Sequence, residues 1–199
     1  MFSATKSVSD SAQRAKVPLR TPVPQSIANL LHKCRLGNRE AQRELYERFH
    51  QSSYRLLVRM VGQNDADDVL QEVFLHVLRT LNQFNGKSQF ETWIYRVTLN
   101  AALQHLRKRR RLRWITLEGD LMDHNQGQTQ ELEDKELLEC ALGRLEPDLR
   151  AFFLLREVEK FSYAKISEAT QVPEGTVASR LNRARQLLKQ HLVELGWEP

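Results

Sequence analysis

The chain has 199 residues, 41% of them apolar and only 8% aromatic. That is enough to fill one medium domain or two small ones, and two compact helical units are easier to fill than one large core at this aromatic content. The formal net charge of +5 points to a polyanionic partner, and the absence of any long apolar run excludes a membrane span.

Glycine and proline are scarce and alternating runs of valine, isoleucine and threonine are missing, so the composition reads as all-α. Cys34 and Cys140 lie far apart and flank no CxxC or His-rich pattern. Both are expected to be small buried thiols in a reducing compartment, forming neither a disulfide nor a metal site. The first 25 residues, including "VPLRTPVP", read as a polar, extended tail without the apolar stretch of a secretory signal. The protein is expected to be cytoplasmic.

Four composition zones follow along the chain: the tail at 1–25, a helical unit at 26–113, a linker at 114–135 and a second helical unit at 136–195. In the first unit Ile27, Leu30, Leu31 and Cys34 share one helical face, which "GN" at 37–38 ends. Ala41, Leu45, Phe49, Leu56, Leu57 and Met60 mark a second helix. Asn64 or Asp65 in "GQND" offers an N-cap for a third, running to about Asn82. "FNGKSQFE" is a loop ending in a capping box, Ser88 with Glu91, and it opens a fourth helix from about Gln89 through "RKRRRLR" at 107–113.

The second unit begins with a short helix carrying Leu137, Leu138, Ala141 and Leu145. Pro147 suits the first position of the next helix, whose apolar residues include Phe152, Leu155 and Val158. Ser162 can cap a short helix to about Thr170, "QVP" turns the chain, and the last helix starts near Pro173. Helix, short turn, helix is the helix-turn-helix arrangement, with the second helix as the reader.

The last helix, "EGTVASRLNRAR" at its start, supports that reading. Val177, Leu181, Ala184 and Leu188 fall on one buried stripe, which leaves Thr176, Ser179, Arg180 and Arg183 on the opposite side. An arginine fork can bond guanine O6 and N7 together. Gly175 allows a phosphate close to the free N–H groups of the first turn.

Two further constellations stand in the first unit. "SQFETWIYRVTLNAALQHL" places Arg96 and Asn100 beside aromatic residues and upstream of the basic run, a pattern suited to unpaired bases and phosphates. Trp93, Ile94 and Val97 are expected in the core. "NDADDVLQEVFLHVL" puts Asp67, Asp68, Gln71 and Glu72 on one face, opposite Val69, Val73 and Val77. With no pocket-forming loop beside them, these groups suit protein docking better than catalysis. The linker carries Glu118, Asp120, Asp123, Glu131, Glu133 and Asp134 and would avoid the DNA that both basic units grip.

In this order the pieces resemble the extracytoplasmic-function (group IV) sigma factors of the sigma-70 family, over about residues 27–113 and 136–195. The resemblance rests on "DADDVLQEVF", on Phe90, Thr92, Trp93, Ile94, Tyr95, Arg96, Val97 and Asn100, and on Gly175, Thr176, Val177, Ser179, Arg180, Leu181, Arg183, Ala184 and Arg185. It implies core RNA polymerase as partner, through the β′ clamp helices and the β flap. Asp67, Asp68, Gln71 and Glu72 would then dock on the clamp helices.

The resemblance also implies promoter DNA as a partner. Lys87, Ser88, Arg96, Asn100, Arg107, Lys108 and Arg110 would read and melt the −10 element, and Thr176, Ser179, Arg180 and Arg183 would read the −35 element. It admits an anti-sigma factor as a further partner. The chain has Lys165, Ile166 and Ser167 where Glu-Ile-Ala is usual in the family, so it departs at 165 and 167, and it has Gln171 where the turn often has glycine.

The rival reading is a free-standing helix-turn-helix regulator that binds duplex DNA by itself. An enzyme is disfavoured, because no Gly-rich phosphate loop, HExxH or nucleophile elbow is present. No catalytic residue, metal, cofactor or small-molecule substrate is expected.

Overall fold

The computed structural model of the chain describes residues 25–116 and 134–197. The expected tail and most of the expected linker lie outside the described residues. Eight α-helices make up the described chain: α1 (Gln25–Arg35), α2 (Arg39–Val61), α3 (Gln63–Thr80), α4 (Phe90–Thr116), α5 (Asp134–Arg144), α6 (Pro147–Glu157), α7 (Tyr163–Thr170) and α8 (Glu174–Glu194). A 3-10 turn at Leu81–Gln83 follows α3, and no strand occurs among the described residues, so the class is all-α. Helix α4 continues past the expected end at residue 113 to Thr116, because nothing in "WIT" breaks it.

Several helix starts follow directly from the sequence. The Asn38 side chain accepts the Ala41 N–H at 2.9 Å and opens α2, and Ser162 accepts the Lys165 N–H at 3.2 Å and opens α7. Pro147 stands in the first turn of α6 as expected.

Two expected caps are not used. Helix α3 starts at Gln63, directly after Gly62, whose φ of +91 suits glycine alone. Gly62 ends α2 through its N–H on the Val58 carbonyl, at 3.0 Å, and the two helices abut with no room for Asn64 or Asp65 as a cap. Asp65 instead lies inside the first turn, where its carboxylate meets His105 Nε2 at 3.1 Å and Arg109 at 3.2 Å. Helix α4 starts at Phe90, and Glu91 reaches outward to Lys165 rather than back toward Ser88.

In the first bundle α2 packs on α1, α3 and α4, and α3 packs on α4. Leu45, Leu57, Val73, Val77 and Ile94 are all but sealed in its core. In the second bundle α5, α6 and α7 pack on α8 around Leu154, Leu155, Ile166 and Leu181. The stripe expected on α8 is there: Val177, Leu181, Ala184 and Leu188 are all buried.

The two bundles do not keep separate cores. Helix α4 also packs against α6 and α7, and α2 packs against α5 and α6, so a single cluster of buried side chains runs through both. Burial departs from expectation at one cysteine. Cys34 is buried, which pushes its thiol pKa up, but Cys140 is exposed because α5 turns Leu137 and Ala141 inward instead. Leu138 and Val158, named among the apolar residues of the expected helices, are 40% and 39% exposed.

Leu181 sits at 0% exposure between the helices of the second bundle. Leu181→Ala should lower stability by about 2–5 kcal/mol in a urea melt, as a cavity in a tightly packed site does. An unchanged midpoint would show that α8 is not held through this stripe.

Candidate nucleic-acid interface

Helices α7 and α8 meet at a turn that Gln171 closes in the left-handed conformation, with φ 58 and ψ 33. A side chain there costs roughly 1 kcal/mol relative to glycine. Local bonds offset that cost. The Gln171 N–H donates to the Ser167 carbonyl, Val172 N–H donates to the same carbonyl at 3.2 Å, and Gln171 Nε2 donates to the Glu168 carbonyl at 2.7 Å. The turn therefore keeps a helix-turn-helix geometry without glycine.

On α8, Ser179 and Arg183 are exposed and Thr176 is half-buried. The Ser179 hydroxyl donates to the Thr176 carbonyl at 3.0 Å, leaving its oxygen lone pairs outward. Around Gly175 no heavy atom lies within 4 Å of where a Cβ would stand, so the first turn is open to an approaching group. Arg180 is half-buried, its guanidinium 5.1 Å from the centre of the Phe152 ring. Arg185 turns the other way and donates twice to Glu157, at 2.7 and 3.2 Å, so it does not join Arg180 and Arg183.

The loop after the 3-10 turn is anchored by aromatic packing. Phe84 packs edge-on against Phe90 at 5.1 Å and tilted against Trp93 at 5.6 Å, and Phe90 meets Phe49 at 5.5 Å. Trp93 is buried, as expected of a core residue. Arg35 was not singled out in the sequence, yet it ties α1 to this loop by donating to the Phe84 carbonyl at 2.9 Å and to the Leu81 carbonyl at 3.2 Å. Lys87 is exposed and Ser88 buried at the rim of a cavity of about 270 Å³ that also takes in Arg96 and, from α7 and its turn, Glu168 and Gln171.

Along α4 the residues at 96, 100, 107 and 110 fall on one stripe by helical spacing. Asn100 and Arg107 line a second cavity, of about 240 Å³, whose far wall is Asp148, Phe152, Thr170 and Arg180. Arg107 and Arg110 also flank Glu146, Pro147 and Asp148 at the start of α6. Lys108 is exposed, whereas Arg109 leaves the group for Asp65. The basic run is thus split by helical geometry, and only part of it lies beside Arg96 and Asn100.

The acidic constellation is whole. Asp67, Asp68, Gln71 and Glu72 are all exposed on α3, with Val69, Val73 and Val77 buried behind them. Leu75, 46% exposed, extends this face into a groove of about 550 Å³ between α3 and α4, lined also by Glu72, His76, Asn100 and Gln104. Among the described residues no group of three His, Cys, Asp or Glu side chains could hold a metal ion, and no helix is long and apolar enough to cross a membrane.

Contacts between the bundles were also absent from the sequence reading. Tyr95 of α4 donates to the Glu159 carboxylate, and its ring packs edge-on against Phe161 at 4.8 Å. Burial and the Glu159 carboxylate hold the phenol pKa well above its ordinary value. Lys165 Nζ pairs with Glu91 at 2.9 Å while lying 3.8 Å from the centre of the Phe161 ring. Arg150 of α6 donates to the Met60 carbonyl of α2 at 3.0 Å.

Comparison with known proteins places these surfaces in a family context. The Sigma-70 region 2 family model matches residues 45–112, and that of Sigma-70, region 4 matches residues 135–188. The chain is 32% identical over 179 residues to the ECF RNA polymerase sigma-E factor of Haemophilus influenzae, covering 83% of this chain and 95% of that one. It is 34% identical over 180 residues to the RNA polymerase sigma-H factor of Pseudomonas aeruginosa, covering 83% and 93%. In fold it matches the sigma factor RpoE of Bartonella quintana, solved with the anti-sigma factor NepR, at a TM-score of 0.63 and 20% identity over 78% of this chain and 98% of that one.

Arg35→Met should loosen the loop that carries Lys87 and Ser88. The expected loss is about 1 kcal/mol of stability together with faster amide hydrogen exchange at residues 84–88. Unchanged exchange there would show that the aromatic packing alone holds the loop.

Proposed function

The chain belongs to the extracytoplasmic-function sigma factors of the sigma-70 family, which direct transcription initiation, and from that premise we propose that α4 with the loop before it engages the −10 element while α8 reads the −35 element. The single observation that carries this reading is the pairing of a helix-turn-helix, its outer face bearing Ser179 and Arg183, with a separate acidic face on α3. A free-standing regulator needs the first feature only. Residues 26–113 then act as the region 2 domain and residues 136–195 as the region 4 domain, joined by the acidic segment 114–135.

In this reading Asp67, Asp68, Gln71 and Glu72 dock on the β′ clamp helices of core RNA polymerase, and the second bundle meets the β flap. Once docked, α8 enters the major groove at its N-terminal end. Thr176 and the free N–H groups of the first turn take phosphate, and Arg180 and Arg183 take guanine edges. Lys87, Ser88, Arg96 and Asn100 contact the separated −10 strand, while Arg107, Lys108 and Arg110 hold its phosphates. The chain contributes specificity and leaves the chemistry to polymerase. Its place of action is the cytoplasm, and an anti-sigma factor is a fitting further partner, since the RpoE relative is found in complex with one.

Each arginine–guanine pair is worth about 1–3 kcal/mol of discrimination. Arg180→Ala or Arg183→Ala should therefore reduce initiation about tenfold or more at cognate promoters and flatten the preference among −35 variants, with polymerase binding intact. Wild-type behaviour of both variants on every −35 sequence would overturn the role of α8. Conversely, Asp68→Arg with Glu72→Arg should weaken capture of core polymerase while the fold and the second bundle stay intact. Undiminished pull-down of core enzyme would overturn the docking face.

A further inference from the structure

The loop that leads into α4 begins at Phe84, whose ring packs against Phe90 and Trp93. A ring contact pins a side chain but leaves the peptide plane after it free to turn. That plane is set from α1. Arg35 donates from Nη2 to the Phe84 carbonyl at 2.9 Å, and from Nη2 and Nε to the Leu81 carbonyl at 3.2 and 3.3 Å. The Leu81 carbonyl also accepts the Phe84 N–H at 3.2 Å, which closes the 3-10 turn. One planar guanidinium thus fixes two carbonyls relative to each other, a task for which a point charge is unsuited.

Beyond Phe84 the path is local. Asn85 Oδ1 accepts the Lys87 N–H at 3.1 Å, and Gly86 turns the chain at a φ of +71. Neither feature reaches outside the loop, so both carry forward the direction that the Phe84 peptide gives them. Lys87 emerges exposed and Ser88 buried, at the rim of the cavity that also takes in Arg96. Helix α4 has its own anchors in Phe90, Trp93 and Ile94. A turned Phe84 peptide therefore moves Lys87 and Ser88 while Arg96 and Asn100 stay in place.

Arg35 is itself well founded, because α1 buries Ile27, Leu30, Leu31 and Cys34 and packs on α2. This helix precedes residues 45–112, the stretch matched by the Sigma-70 region 2 family model. We propose that Arg35 is a positioning residue for −10 recognition, a role that rests on the assignment of this loop and α4 to the −10 element made above. Arg35 touches no DNA. It sets where Lys87 and Ser88 meet the separated strand relative to Arg96 and Asn100, and α1 thereby becomes part of the reading unit.

The test uses holoenzyme assembled from core polymerase and the full chain, on a promoter mapped by run-off transcription and on a library with its −10 region randomised. With Arg35→Met, the ratio of initiation at the best −10 sequence to that at single-base variants should shrink about fivefold. The ranking of −35 variants and the capture of core polymerase should not change. Ile27→Val trims a buried side chain on the same helix at a similar cost in stability. It should lower output evenly and keep the −10 ranking. Holoenzyme binding to the single-stranded −10 oligonucleotide should keep the same salt dependence in Arg35→Met, since no phosphate contact is lost.

Equal −10 preference in wild type and Arg35→Met, or the same flattening by Ile27→Val, would overturn the positioning role. A salt slope reduced by about one would also overturn it, by making Arg35 a direct phosphate contact. Wild-type holoenzyme that starts at discrete sites yet shows no −10 preference would instead overturn the underlying reading of the loop and α4, and the role of Arg35 with it.

Discussion

Two-sided burial of α4 is the constraint that organises the molecule. One side, through Phe90, Trp93, Ile94 and Val97, completes the core that α2 and α3 begin. The other side, through Tyr95 and Leu99, is covered by α6, α7 and the chain between them. A helix buried twice is strongly ordered along its first half, so the polar residues riding on it, Arg96 and Asn100, are carried at fixed spacing on a rigid rod. The aromatic group of Phe49, Phe84, Phe90 and Trp93 extends that rigidity to the loop in front of the helix. Precision at a recognition surface comes from such supporting packing more than from the recognising side chains.

The contact between the bundles joins buried packing to polar contacts. Apolar packing runs between the bundles from α4 to α6 and α7 and from α2 to α5 and α6, and ion pairs and hydrogen bonds stand beside it around Tyr95 and Phe161. A polar rim is open to competition from phosphates and to screening by salt. Arg150 shows how far this goes: burial lowers its guanidinium pKa, yet the group is kept by carbonyls of Met60 and Leu145 from two different bundles.

Much of this was legible in the sequence, for identifiable reasons. The α8 stripe could be read because a helix that packs on one side must repeat its apolar residues every three or four positions, and Val177, Leu181, Ala184 and Leu188 do so without exception. The acidic face of α3 was readable in the same way. Local chemistry served at Ser162, Asn38 and Pro147, where a single residue decides how a helix begins. It failed at α3. There the φ of +91 at Gly62 joins two helices end to end, and a partner 40 residues away, His105, recruits Asp65. The union of the bundles was not legible at all, because Tyr95 and Glu159 stand 64 residues apart and nothing local marks them as partners. Short helices such as α5 carry too few turns for periodicity to separate buried from exposed, which is why Cys140 was placed wrongly.

The central claim is that this chain gives core RNA polymerase a promoter preference it lacks alone. The most direct measurement is run-off transcription with purified core polymerase, the full chain and fragmented genomic DNA from the source organism, followed by sequencing of the RNA 5′ ends. Discrete start sites that share a two-part, asymmetric upstream motif are the predicted result. No added initiation, combined with tight binding of the chain alone to a two-fold symmetric duplex, would contradict it and make the protein a free-standing regulator.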